Sequence, residues 1–342
     1  MRQTDFKVLT LPHAGDLMVP HSVQRRTNRL SLRIEDGWFH RNVYACSHKF
    51  RNFYCRKRTF KHFLRFCSLN LLYLSEENVK GEARIVKVCI LASSSAGNSA
   101  FIATDCTRIL IDAGLSRREI AKRLAAIGED IDTLDAVLVT HEHNDHVCGL
   151  PALAKNRRRP VPVYLTQGTA PYIWWGDAQP PLETFQAGRS FTIGDFDISS
   201  FTIPHDATDP VGYTLSAHGI KIAVATDLGY VTESLRVHMR ASDIVILESN
   251  HDLEMLRVGP YPWSVKQRVM GRRGHLSNEV AAGFIQNDLD SRVSTLILGH
   301  ISEHNNHPEL VRHSALKALH GRTLFTRLVV AEPGIQSEVF EY

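Results

Sequence analysis

Residues 140–146 read Thr-His-Glu-His-Asn-Asp-His, so His141, His143, Asp145 and His146 fall within six positions. Neutral imidazole and carboxylate are the side chains by which proteins hold zinc and similar divalent ions. An apolar run, Ala136–Val139, leads directly into the segment and reads as a buried strand. The four groups therefore sit in a loop at a strand's C-terminal end. In a locally extended loop His141 and His143 project to the same side and can grip one ion, while Asp145 and His146 point towards a neighbouring position. A merely solvated loop has no need of three histidines and an aspartate at this spacing.

The pattern then recurs singly. Phe201-Thr-Ile-Pro204 runs into His205, Ile222-Ala-Val-Ala-Thr226 into Asp227, and Leu296-Ile-Leu-Gly299 into His300. Each time a buried strand delivers one ligand-type residue at its C-terminal end. One such residue alone is more often a turn or cap. Together with the His141 cluster they supply the further groups that two ions need.

The elements that must position these residues begin at position 84. Strands are predicted over 84–92, 100–104, 108–112, 136–140, 161–166, 196–203, 211–216, 221–226, 243–248, 295–298 and 324–330, with 93–98 as a loop after the first. Helices are predicted over 116–127, 232–239, 277–289 and 308–319, the first capped by Ser116 with Ile120, Leu124 and Ile127 at helical spacing. Many strands followed by alternating strands and helices imply an α/β protein of two packed sheets with helices outside.

Residues 1–80 have another character: 15 Lys/Arg stand against 6 Asp/Glu, a net of +9, whereas 81–342 carry 25 against 30, a net of −5. The expected division is a basic N-terminal extension, residues 1–83, outside a catalytic domain of residues 84–342. The extension reads as a non-native addition, a targeting segment or a nucleic-acid-binding arm. Six scattered cysteines without a CxxC pair, no apolar run long enough to span a bilayer and no signal-peptide pattern point to a reducing, cytoplasmic setting without membrane contact.

The His-x-His-x-Asp-His loop, the Ile111-Asp-Ala-Gly114 turn before it, and the later His205, Asp227 and His300 resemble the metallo-β-lactamase superfamily over about residues 86–330. That resemblance implies a four-layer αββα sandwich. It implies that His141, His143 and His205 hold one metal, that Asp145, His146 and His300 hold a second, and that Asp227 bridges them. Asp112 would orient the ligand loop without touching metal. The segments Leu91–Ser99, Leu247–Asp252, Gly259–Trp263, Gly274–Asn278 and Leu298–Ser302 resemble the WalJ/YycJ-type branch, which implies 5′-to-3′ DNA exonuclease activity. The Gly274-His-Leu-Ser motif also resembles the catalytic histidine motif of tRNA 3′-processing nucleases.

The expected chemistry is hydrolysis of a phosphodiester by a hydroxide activated between two divalent ions, zinc with manganese or iron as alternatives. Asp145 would accept a hydrogen bond from the nucleophile and His275 would protonate the leaving oxygen. Glu248, Asn250 and His251 follow another strand and belong to the same edge, in a structural or a catalytic role. Tyr261 and Trp263 could stack on bases, and Arg157–Arg159 and Arg272–Arg273 could meet phosphates. The substrate class expected is nucleic-acid ends, DNA first. A small-molecule cyclic phosphodiesterase, a hydrolase of another bond, or a metal-stabilised binding module are the competing readings. Metals held at seven positions argue against the last, because structural zinc sites are closed four-ligand cages.

Overall fold

The computed structural model describes residues 84–155, 160–320, 322 and 325–342, all within one compact unit, Gly81–Tyr342. The expectations for residues 1–83 and for Arg157–Arg159 lie outside the described residues.

Two seven-stranded sheets face each other. The first is built from β1 (Lys87–Ser94), β2 (Gly97–Ala103), β3 (Arg108–Ile111), β4 (Ala136–Leu138), β5 (Val163–Thr166) and β6 (Leu182–Phe185), with β14 (Phe340–Glu341) returning to pair with β1. The second is built from β7 (Ser190–Ile193), β8 (Phe196–Thr202), β9 (Val211–Ala217), β10 (Ile220–Ala225), β11 (Ile244–Glu248), β12 (Thr295–Gly299) and β13 (Arg327–Val330). Helix α1 (Arg117–Ala126), the short α2 (Asn144–Val147) and α3 (Leu150–Lys155) follow strands of the first sheet. Helices α4 (Glu233–Met239), α5 (Leu253–Val258), α6 (Trp263–Val269), α7 (Asn278–Asn287) and α8 (Pro308–His320) follow strands of the second.

Side chains alternate across each strand, and the alternation builds the layers. Along β11, Ile244 and Ile246 join Val88, Ile90 and Ile109 of the opposite sheet in the central core. Val245 and Leu247 instead pack under Leu235 of α4, Phe284 of α7 and Val311 of α8. On the first sheet Cys89 and Leu91 turn outward to meet Ile120 and Leu124 of α1 and Leu153 of α3. Burying each such large aliphatic side chain contributes about 1.5–3 kcal/mol. Strands buried on both faces need continuous apolar runs, and β11 and β12 have them. The result is the four-layer αββα sandwich expected from the sequence.

Ser116 caps α1 as expected, and Thr232 and Ser277 cap α4 and α7; each accepts a hydrogen bond from the third residue of the following helix. The predicted loop at 93–98 is instead a tight hairpin, with Ser93 opposite Asn98 and Ser94 opposite Gly97. Its small polar residues read as loop, yet they pair because the strands continue past the bulge between Ile90 and Ala92. Among the described residues no helix is long and apolar enough to cross a membrane.

Strand direction, more than strand count, decides which residues can meet. β3 runs parallel to β4, and β10, β11 and β12 run parallel to one another. β8 reaches β10 through two antiparallel steps and so shares its direction. The C-terminal ends of β3, β4, β8, β10, β11 and β12 therefore come out on the same edge of the sandwich.

Candidate metal centre

Asp112 and His300 stand directly beyond the ends of β3 and β12, Asp227 stands two residues beyond β10, and their backbones take the left-handed region, with φ of 59°, 54° and 62°. Non-glycine residues pay about 1–3 kcal/mol there. The abrupt turn lets a strand-end side chain point along the sheet edge instead of continuing the pleat.

Three ring nitrogens meet at one point. His141 Nε2 is 3.1 Å, and His205 Nε2 3.2 Å, from His143 Nδ1. The edge of a tetrahedron of metal–nitrogen bonds of 2.0–2.1 Å is about 3.3 Å, so the spacing fits one shared ion. A second group lies alongside: Asp145 Oδ2 is 3.4 Å from His146 Nε2 and 3.6 Å from His300 Nε2. Asp227 lies between the groups, with Oδ2 3.2 Å from His146 Nε2 and Oδ1 3.9 Å from His205 Nε2. Asp227 Oδ2 and His300 Nε2 are buried and lack a hydrogen-bond partner. A buried unpaired acceptor is costly, and a divalent ion between these atoms would remove the cost. The residues present fit two ions.

The Nδ1 atoms of His146, His205, His300 and His275 are tied back. His146 Nδ1 lies 2.8 Å from Asp112 Oδ2, and Asp112 also accepts from the Thr140 amide and hydroxyl, both at 2.8 Å. His205 Nδ1 faces the Gly274 carbonyl at 3.2 Å. His300 Nδ1 and His275 Nδ1 both reach Glu248 Oε1, at 2.7 and 2.8 Å. Carbonyl and carboxylate oxygens only accept, so these three histidines carry their proton on Nδ1 whatever their charge. His146 does likewise, which turns the Nε2 atoms of His146, His205 and His300 to the centre. Asn98 closes the second group, its Nδ2 donating to Asp145 Oδ2 at 3.2 Å and to the Ser94 carbonyl at 2.9 Å.

Glu248 is the residue whose importance the sequence does not disclose. It is fully buried, and its Oε2 accepts from the Leu228 and Leu276 amides at 2.9 and 3.0 Å. One carboxylate thus joins the Asp227 loop, the His275 loop and His300. Because Oε1 is already taken by two imidazoles, Glu248 is a poor direct ligand even though it lies within reach of the metal-ligating atoms. Asn250 donates to the His300 carbonyl at 2.8 Å, and the buried His251 pairs by backbone with Ser277, so the two tie the loop after β11 to the His300 and His275 loops. Tyr261 packs edge-on against His304 and Trp263 is exposed on α6.

The charges follow from this packing. Burial pushes His141 well below the ordinary histidine value, and neighbouring His146 adds to the shift. Burial opposes charge on His146 too, but Asp227 and Asp112 outweigh it and raise that ring well above the ordinary value. His300 is pushed up to about 10: burial works against it, and Asp227, Asp145 and Glu248 win. Reciprocally, Asp227 and Asp145 are held below the usual carboxylate range against burial, by His300 and His146. Glu248 is brought down to about 2 by His275 and His300, again against burial. His275 is raised, burial being outweighed by Glu248 and Asp227. It lines a cleft of about 330 Å³ together with Asp145, His205, Asp227 and Arg268. Arg268 is paired with Asp206 at the rim.

The comparisons agree with this geometry. Residues 107–301 match the model of the beta-lactamase superfamily domain. The chain belongs to that superfamily, and it is a metal-dependent hydrolase. It is 37% identical over 239 residues to exodeoxyribonuclease WalJ of Streptococcus pneumoniae serotype 2, covering 68% of this chain and 88% of that one. To exodeoxyribonuclease YycJ of Bacillus anthracis it is 36% identical over 233 residues, covering 67% and 88%. Among solved structures, the metallo-beta-lactamase fold protein YhfI of Bacillus subtilis superposes with a TM-score of 0.58 at 16% identity, over 75% of this chain and 100% of that one; this likeness concerns the fold.

Proposed function

We propose that the protein is a cytoplasmic, binuclear metal-dependent nuclease that degrades DNA from its 5′ ends. The observation carrying this reading is the convergence of His141, His143, Asp145, His146, His205, Asp227 and His300 on one edge beside His275, in a chain that aligns with most of an exodeoxyribonuclease.

His141, His143 and His205 would hold one ion and Asp145, His146 and His300 a second, with Asp227 placed between the two groups to serve both. Zinc suits the donor set, as do manganese and iron. When bound, such ions would supply an activated water and neutralise charge on the scissile phosphate. Asp145 borders the cleft and is ionised, so it accepts a hydrogen bond from the attacking water and fixes its direction. His275 gives Nδ1 to Glu248 and keeps Nε2 for the substrate. Its affinity for protons is raised by Glu248 and Asp227 against burial, which suits it to protonate the sugar oxygen as the phosphorus–oxygen bond breaks.

The test uses the full chain with Zn²⁺ or Mn²⁺ on DNA labelled at either end, with Asp145→Ala as control. Loss starting at the 5′ end and absent in the control is the expected result. Loss starting only at the 3′ end overturns the polarity. Hydrolysis of cyclic phosphates without any DNA degradation transfers the assignment to a small-molecule phosphodiesterase.

A further inference from the structure

Next to the metal centre, three loops are stitched together at their backbones. The Gly229 amide donates to the Pro204 carbonyl at 2.9 Å, one residue from His205. His205 Nδ1 in turn meets the Gly274 carbonyl. A Cβ built on Gly229 would collide with the carbonyl of Arg272, so the loop after Asp227 and the loop before His275 press together with no space for a side chain between them. This contact fixes two residues on its outer side. The Arg272 guanidinium lies over the Tyr230 ring, 4.5 Å from its centroid.

Several features of that pair have no part in the hydrolytic site. Tyr230, Arg272 and Arg273 are exposed. Among the described residues Arg272 and Arg273 make no ion pair, whereas nearby Arg268, Arg236 and Arg240 are each matched to an acid. Behind Tyr230 runs a groove of about 330 Å³ with Pro204 at one end and Phe201 and His238 along it. The Phe201 and His238 rings stack there at 4.5 Å, 18° from parallel. Unpaired arginines beside aromatic faces are what a single strand requires: phosphates take the guanidinium edges, and bases of any sequence stack on the rings. An arginine stacked on tyrosine keeps its N–H edges free for phosphate. The catalytic part of the chain carries net negative charge, so the grip on DNA has to be local, and Arg272 and Arg273 bring unpaired positive charge within three residues of His275.

We propose that Tyr230, Arg272 and Arg273, with the groove leading from Pro204, form the subsite that holds the single-stranded segment of the substrate next to the scissile phosphate. This deepens the nuclease reading and rests on it for the identity of the substrate. Arg272 and Arg273 bind phosphates, and Tyr230 carries the adjoining base.

Two measurements on the full chain test it. Binding of a fluorescent single-stranded dT oligonucleotide is followed by anisotropy in EDTA, and steady-state hydrolysis of the same strand is followed with Mn²⁺. Tyr230→Ala and Arg272→Ala are expected to weaken binding and raise KM about tenfold, the size of one stacked base, with kcat within about twofold of wild type. Tyr230→Phe restores affinity. Arg272→Ala also lowers the slope of log affinity against log salt by about 0.7, one phosphate contact on a single strand. A pair that only held the loops together would leave that slope unchanged, and an unchanged slope with unchanged KM overturns the subsite while wild-type cleavage upholds the nuclease. If wild-type protein binds the strand through these residues but never cuts it, the subsite stands and the nuclease reading falls. A wild-type protein that neither binds nor cuts DNA ends both.

Discussion

A ligating histidine has to be held by the nitrogen that does not touch metal, and two buried acids do this for His146 and His300. Asp112 fixes His146 from the first sheet, and Glu248 fixes His300 and His275 from the second. Replacing Glu248 by Gln should lower metal affinity about 10–100-fold, the range for losing such an outer partner, measured by competition with a chromogenic chelator. Asp112→Asn should do the same through His146. Unchanged affinity in both variants would show that packing alone holds the rings. For His275→Ala the expected outcome is different: kcat drops by about 10²–10⁴ while metal content stays at the wild-type level, because no ion depends on that ring. Full turnover in the metal-loaded variant would remove His275 from the acid role. At the residue scale, legibility in the sequence tracks proximity along the chain. His141 to His146 announce themselves within six positions, and Asp227 and His300 are recognisable as strand-end residues. Glu248 cannot be assigned a task that way, since its partners lie 27 and 52 positions away and no spacing encodes that meeting.

Among the elements, those buried on both faces are the readable ones. β10, β11 and β12 carry uninterrupted apolar segments, and their predicted ends nearly coincide with the observed ones, as do those of α1, α4 and α7 with their capping residues. The edge strands β6 and β7 escape prediction because each is only four residues long, too short for the alternation visible in Ser-Phe-Thr-Ile to stand out. The short helices α2, α3 and α5 are too brief for a 3.6-residue repeat to show, and α6, as long as α4, starts after Pro262 without a side-chain cap to mark it. Two glycines test how tightly elements are bound to the site. A Cβ on Gly114 would overlap the Asp145 carbonyl, so the turn after β3 presses directly on the ligand loop. Gly114→Ala is expected to displace that loop and lose metal together with activity. Gly283, inside α7, has nothing within 4 Å of its would-be Cβ. Gly283→Ala should therefore stabilise by about 0.5–1 kcal/mol, the helix-interior difference between the two residues, and leave activity as it was. Chemical denaturation with metal analysis reads both, and a Gly114→Ala protein that kept its metal would refute the close contact.

For the molecule as a whole, the same acids and imidazoles that await metal also tie the two sheets together through charge, and this links stability, pH and metal. Without metal, His300 is raised to about 10 from an unfolded value of about 6.5. Its contribution is therefore fully present below pH ~6.5 and is lost as pH rises through about 10. Glu248 is lowered to about 2 from an unfolded value of about 4.3. Its contribution is present above pH ~4.3 and is lost as pH falls through about 2. EDTA-treated protein should accordingly lose Tm as pH rises from ~6.5 through about 10, and also as pH falls below ~6.5, because His141, pushed well down by burial, and His251, lowered to about 4 by burial, resist the protons that their unfolded forms take up. Metal reverses the alkaline limb. An ion on His300 Nε2 has to displace the proton that Asp227 and Asp145 stabilise, so binding releases protons and strengthens as pH rises. A ligand that binds only the folded state adds stability in proportion to the logarithm of its excess over Kd. The gap in Tm between zinc-loaded and EDTA-treated protein should thus widen steadily from about pH 6.5 to about pH 9, where the metal-free protein weakens and the ions bind best. Thermal scans at fixed zinc across that range decide the matter: a gap that stays constant or narrows would mean that the cluster is not where the ions bind.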